Sequence, residues 1–138
     1  MLDIQSALNT VWAGYVEHYN FDLLSHKVKF DIRITKNGEV TRHKLVFNSV
    51  ASFYFVEGMG DERFNRPESD EGDCIELSSV RFFQNGIGDL SLSPNDSWKN
   101  RYPGVPNFAI EMWNAMLFIE AASVALDEVT FPVGYVVP

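Results

Sequence analysis

From Lys27 to Phe47 the chain alternates apolar and polar residues about a central Asn37-Gly38. On the first arm Val28, Phe30, Ile32 and Ile34 alternate with Lys27, Lys29, Asp31, Arg33 and Thr35. That is the period of a strand with one face buried. Asn and Gly both tolerate φ > 0, which a two-residue hairpin turn demands of its central residues. A slip of one residue would carry the whole apolar set into water, so the turn and the pattern together dictate the register. Ile34 then faces Thr41, Ile32 faces His43, Phe30 faces Leu45 and Val28 faces Phe47. On the other face Asp31 meets Lys44, Lys29 meets Val46 and Arg33 meets Arg42. One face is apolar and the other charged, which supports the turn independently.

The flanking segments extend a β-rich reading. Ser52 to Val56 predicts a short third strand, Ile75 to Phe83 resumes the pattern, and Asn85-Gly86 marks a turn. Residues 107–122 suit a helix by composition. Read as two strands turning at Asn114-Ala115, they place Phe108, Ile110, Met112, Leu117, Ile119 and Ala121 on one face, and strands are preferred. Val129 to Val136, broken by Pro132, predicts an edge strand or extended tail. Ahead of the hairpin, Ile4, Leu8, Val11, Trp12, Tyr15 and Val16 fall at helical spacing, with Asp3 as N-cap. At 138 residues, of which 14% are aromatic, the chain is long enough for one domain with its own core. The expected fold is mainly β: an antiparallel β-sandwich or open barrel with one N-terminal amphipathic helix packed on it. The expected division is a helix over 3–19 and a β-rich body over 24–136, with an acidic loop at 57–73.

Charge is unevenly spread. The net charge is −8, and between Glu57 and Asp73 seven acids stand against Arg63 and Arg66, a local balance of −5. Such a chain disfavours non-specific binding to nucleic acid or anionic membrane. Asp61, Glu62, Glu68, Asp70, Glu71 and Asp73 form a candidate surface for a basic protein partner. Lys27, Lys29, Arg33, Arg42 and Lys44 share the outer hairpin face. They are a solvated strand face or a docking surface for an acidic partner or for the chain's own acidic loop. No basic and apolar leader opens the sequence, and no run reaches membrane-span length, so cytoplasm is the expected compartment. In that setting the sequon Asn95-Asp96-Ser97 carries no meaning. Cys74 is the single cysteine, which excludes an internal disulfide.

No catalytic or cofactor constellation stands out. Ser25-His26 are neighbours without a nucleophile elbow, and adjacent strand residues point to opposite faces. His43 falls on the apolar hairpin face and reads as a half-buried, hydrogen-bonded side chain. The three histidines are dispersed, so no zinc site is expected. Glu68 to Asp73 imitates a calcium loop, but its twelfth position is Ser79 where the ion needs Glu. Gly86-Ile87-Gly88 opens like a dinucleotide fingerprint, yet Ser91 replaces the third glycine and no helix follows.

Leu45-Val46-Phe47-Asn48-Ser49-Val50, Phe53-Tyr54-Phe55 and the run from Phe108 to Ala121 carry a family likeness. From about Phe21 to Phe131 the chain resembles the YxiG-like group of small bacterial proteins. The resemblance implies a compact β-rich cytoplasmic protein; the family brings no established catalytic residues to carry over, and no cofactor is expected. It also implies a genomic setting near polymorphic-toxin loci, and hence an immunity or accessory role. The expected function is therefore non-enzymatic binding of a protein partner, a basic toxin in its sharpest form. The alternative is a β-barrel that carries a small apolar ligand, which the aromatic load permits. An apolar cavity would favour the carrier, and a cleft gathering His, Asp and Ser would favour an enzyme.

Overall fold

The computed structural model describes residues 3–64, 74–88 and 103–136. The hairpin is its frame. β2 (Lys27–Lys36) and β3 (Glu39–Glu57) pair antiparallel, with Val28 opposite Phe47, Phe30 opposite Leu45, Ile32 opposite His43 and Ile34 opposite Thr41. Asn37 and Gly38 hold φ of 53° and 81°, the two positive values the turn requires. Val28, Phe30, Ile32, Leu45 and Phe47 are buried, as the alternation demands.

β1 (Tyr15–Asp22) pairs with the free edge of β2. β4 (Ile75–Phe82) pairs with β5 (Phe108–Met112), and β5 pairs with β6 (Ala115–Leu126). β6 also runs along β3 from Leu45 to Glu57, while β1 meets β4 at Tyr15–Glu76 and Val16–Ile75. The order β1-β2-β3-β6-β5-β4 thus closes on itself as an antiparallel ring, and β7 (Val129–Pro132) is an edge strand on the far end of β6. A ring this narrow is filled by its own side chains. Phe47 and Phe108 meet edge to face at 5.0 Å in the middle, surrounded by Leu45, Leu77, Ile110, Leu117 and Ile119.

β3 serves two neighbours because it bends. Ser49 has φ 54° and the register against β6 shifts between Val50 and Ser52. The segment expected as a separate third strand, Ser52 to Val56, is therefore the far half of β3. The bulge turns Phe53 and Phe55 inward, opposite Ile119 and Leu117, and leaves Tyr54 outside, stacked on Phe118.

The helix expected over 3–19 is shorter. Asp3 caps it as foreseen, accepting from the Ser6 N–H at 2.7 Å. α1 covers only Ile4–Leu8, followed by a 3₁₀ turn at Asn9–Val11. The chain then turns at Ala13 (φ 62°) and Gly14 and enters β1, so the β-rich body starts at Tyr15 and not at residue 24. A Cβ on Gly14 would lie 2.6 Å from Ile34 Cδ1 and 2.9 Å from Ile32 Cγ2, so only glycine permits this approach. Tyr15 and Val16 imitated a helical stripe because two adjacent apolar residues at a strand's start continue the spacing of Leu8, Val11 and Trp12, while the bulge that follows at Val16–His18 leaves β1 no clear period of two. Ala7, Leu8 and Val11 are buried against the core beside β4.

Residues 107–122 are strands, with the faces expected. The turn residues, however, are Trp113 and Asn114, with Met112 opposite Ala115. Asn114 takes φ 51°, which Asn adopts at lower cost than Ala, so the turn moves off Ala115. This pairing differs by two from a turn at 114–115, and an even difference keeps every side chain on its face. The turn expected at Asn85-Gly86 centres on Gln84 and Asn85, with the Gly86 N–H donating to Phe83 O and Gly86 taking φ 78° behind it. Ser25 and His26 lie in the β1–β2 turn and not on a strand. Residues 65–73 and 89–102 lie outside the described residues. They include most of the acidic loop, the sequon, Ser91 and the carboxylates of the calcium-like run.

Asn107 is buried at 1% exposure, the one buried polar side chain in the described core. Its Nδ2 donates to Ala121 O at 2.9 Å and its Oδ1 accepts from Ala121 N at 3.1 Å. The side-chain amide thus stands in for a strand residue at the gap between β5 and β7 on β6. Replacing it strands two buried backbone groups, at about 1–3 kcal/mol each. Asn107→Leu should therefore lower unfolding free energy in urea by about 3 kcal/mol. A loss near zero would show that water enters to replace the amide.

Asp22 shapes the β1–β2 turn. The Ser25 side chain and its N–H, with the Leu24 N–H, bond its carboxylate and hold its pKa below the ordinary value, assisted by Lys29. A depressed folded-state pKa contributes stability above the unfolded value, and that contribution is lost as pH falls through the lowered one. Asp22→Ala should therefore melt below the parent near pH 7 and converge with it at about pH 2. A difference independent of pH would assign the effect to turn geometry alone.

Candidate functional site

The ring is not filled at both ends. Between the last residues of β1 and the bent half of β3 lies an open hollow of about 320 Å³. Val16, Phe30 and Met112, all buried, make its floor, with Ile75 from the start of β4. Tyr19, Phe21, Phe53 and Phe55 make its walls. Tyr19, Phe53 and Phe55 remain 58%, 40% and 50% exposed, so the aromatic walls are open to an occupant.

Two bulges build this mouth. Without the one at Glu17, β1 would alternate Val16, His18 and Asn20 inward. With it, Tyr19 pairs with Phe30 and Phe21 with Val28, and both rings join the inner face. In β3, Ser49 at φ 54° brings Val50 opposite Ala121, and the bulge after Val50 returns the inner face to Phe53 and Phe55, in phase with Leu45 and Phe47. Phe21 and Phe53 then approach to 5.0 Å between ring centroids. No charged side chain belongs to this lining.

Beyond the Phe21–Phe53 pair is a second hollow, of about 300 Å³, against the β1–β2 turn. It brings Asp22, His26 and Ser52 to one rim, the residue types a hydrolase needs. Their bonds point elsewhere. Asp22 is held by the turn N–H groups, and Ser52 Oγ donates to Glu120 Oε1 at 2.9 Å. Among the described residues no hydrogen bond links His26 to either.

The outer hairpin face places the five expected bases on one side, with Arg33 directly opposite Arg42. The like charges are reconciled by the bulged residue. Glu17 accepts from Arg42 Nε at 3.0 Å and lies 3.6 Å from Arg33 Nη1. The stripe is thus partly neutralised by an acid the sequence reading had assigned to a helix. His43 is half-buried as expected, with Nδ1 2.5 Å from Asp127 Oδ2 and Nε2 3.0 Å from Thr41 Oγ1. Asp127 also accepts from the Lys44 N–H, joining β3 to the turn after β6.

Of the candidate acidic surface, Asp61 is exposed and Glu62 ends a 3₁₀ turn, Gly60–Glu62, while Glu68, Asp70, Glu71 and Asp73 lie outside the described residues. The loop starts by folding on itself, as Glu57 Oε2 accepts from the Phe64 N–H at 2.7 Å. No group of three His, Cys, Asp or Glu with metal-holding geometry occurs among the described residues. Cys74 is free and half-buried, and no described helix is long and apolar enough to cross a membrane.

The mouth was not read from the sequence as a site. Phe53 and Phe55 read as strand residues, Tyr19 as the last residue of the helix over 3–19, and Phe21 as part of the break between helix and β-rich body. The usable signal was the surplus of aromatics over what one small core can bury.

The profile of the YxiG-like protein family matches residues 4–131, so the likeness includes the N-terminal helix that the motifs alone had left out. The chain is also 31% identical over 129 residues to the uncharacterized protein YxiG of Bacillus subtilis (strain 168), across 87% of this chain and 88% of that one. On both matches the chain belongs to the YxiG-like family.

Proposed function

We propose that the chain is a binding protein whose site is the barrel mouth and whose ligand is a small, largely apolar molecule. The observation that carries this is an open hollow walled by half-exposed aromatic rings on a core that is otherwise filled. Leaving Phe53 and Phe55 in water costs free energy, about 1.5–3 kcal/mol for each ring that could be fully buried. An apolar occupant would recover it. The volume lies at the lower end of ligand pockets and holds about ten water-sized groups.

A second reading keeps a protein partner, and the seven acids between Glu57 and Asp73 favour it. Asp61, Glu62, Glu68, Asp70, Glu71 and Asp73 would then engage a basic toxin and speed its capture. The two readings use different residues and separate cleanly by mutation. Lysine at the six acids should abolish rescue from a toxic genomic neighbour and spare the uptake of a neutral apolar dye.

A neutral naphthalene dye titrated into the protein should bind with a blue-shifted emission. Phe53→Ser with Phe55→Ser should weaken it about tenfold to a hundredfold, and Tyr54→Ser, on the outer face, should leave it unchanged. A dye that ignores the inner pair, or does not bind, overturns the mouth as a ligand site.

A further inference from the structure

We propose that the mouth selects an organic cation, a quaternary ammonium group with apolar substituents; this deepens the reading of the mouth as a ligand site and rests on it. Five rings wall the hollow, from Tyr19, Phe21, Phe30, Phe53 and Phe55. Phe21 is their hub, 6.0 Å from Tyr19, 6.3 Å from Phe30 and 5.0 Å from Phe53, at interplanar angles of 66°, 86° and 34°. Rings set at such angles offer an occupant faces as well as edges, and an aromatic face carries negative potential. A cation over such a face gains about 0.5–2 kcal/mol, most when it sheds its water easily. A quaternary ammonium does so, because its alkyl groups leave no N–H to hydrate.

Charge argues in the same direction. The lining holds no base for a carboxylate or phosphate and no acid for a strongly hydrated amine. The chain carries a net −8, and in sequence the stretch with a balance of −5 starts at Glu57, two residues past Phe55, and ends at Asp73, two before Ile75. The nearby Arg63 Nε is engaged with Gly58 O. A net charge of that sign draws cations and repels anions, with an effect that salt screens.

The test sets benzyltrimethylammonium against neopentylbenzene, its neutral carbon isostere, each displacing the naphthalene dye. The ammonium should bind about tenfold more tightly or better, and the preference should shrink as ionic strength rises. Phe53→Leu with Phe55→Leu keeps the mouth apolar and removes two of its five quadrupoles, so it should cut the preference severalfold and hold the isostere within about threefold. Equal affinity of the two probes, or a preference that the leucines leave undiminished, overturns the cation while the apolar mouth stands. If the dye itself finds no site, both readings fall together.

Discussion

A backbone amide taken out of water must find a partner, and in a ring of six strands the ladder runs short where the strands are of unequal length. β1 meets β4 over only a few residues, ending with the Leu77 N–H on Gly14 O. Past that point Gln5 completes the β4 edge, accepting from Phe82 N at 2.9 Å and donating to Val80 O at 3.0 Å. On β6, β5 stops and β7 has not yet begun, and Asn107 spans the gap. Two side-chain amides thus behave as strand residues, and every buried side-chain N and O among the described residues is hydrogen-bonded. The short helix has its place for the same reason: it holds Gln5 against β4 while Ala7 and Leu8 cover the core.

The two bulges determine where the closed ring stops being full. Each inserts one residue and reverses the alternation after it. In β1 the inserted Glu17 goes outward between Arg33 and Arg42, where two cations would otherwise repel across the strands. In the same step Tyr19 and Phe21 go inward. In β3 the inserted residue swings the strand away from β2 and brings Phe53 and Phe55 to Phe21. Filling the ring's middle with Phe47 and Phe108 leaves no room for these further rings at depth, so they line its opening. The mouth is a product of chain geometry as much as of composition.

How much of this could be read from residues alone follows from the range of each interaction. The register of β2 on β3 was legible to the residue, because Asn37-Gly38 accepts few conformations and the alternation penalises every odd slip. The faces of β5 and β6 were legible and their turn was not, because faces depend on parity and the turn on which residue takes positive φ. Asn107, Gln5 and Glu17 gave no local signal. Their partners lie at Ala121, at Val80 and Phe82, and at Arg33 and Arg42, and nothing near them in sequence demands those bonds.

The sequence by itself determined the β-rich class, the hairpin and its buried face, the N-cap at Asp3 and the hydrogen-bonded His43. All of these rest on local torsion preference and on a period of two. Only the tertiary structure decided that the sheet closes, that the helix ends after two short turns, and that four aromatic side chains from β1 and β3 meet at one opening. A bulge breaks the period that a linear reading depends on, and its cost is recovered only by contacts with strands distant in the chain.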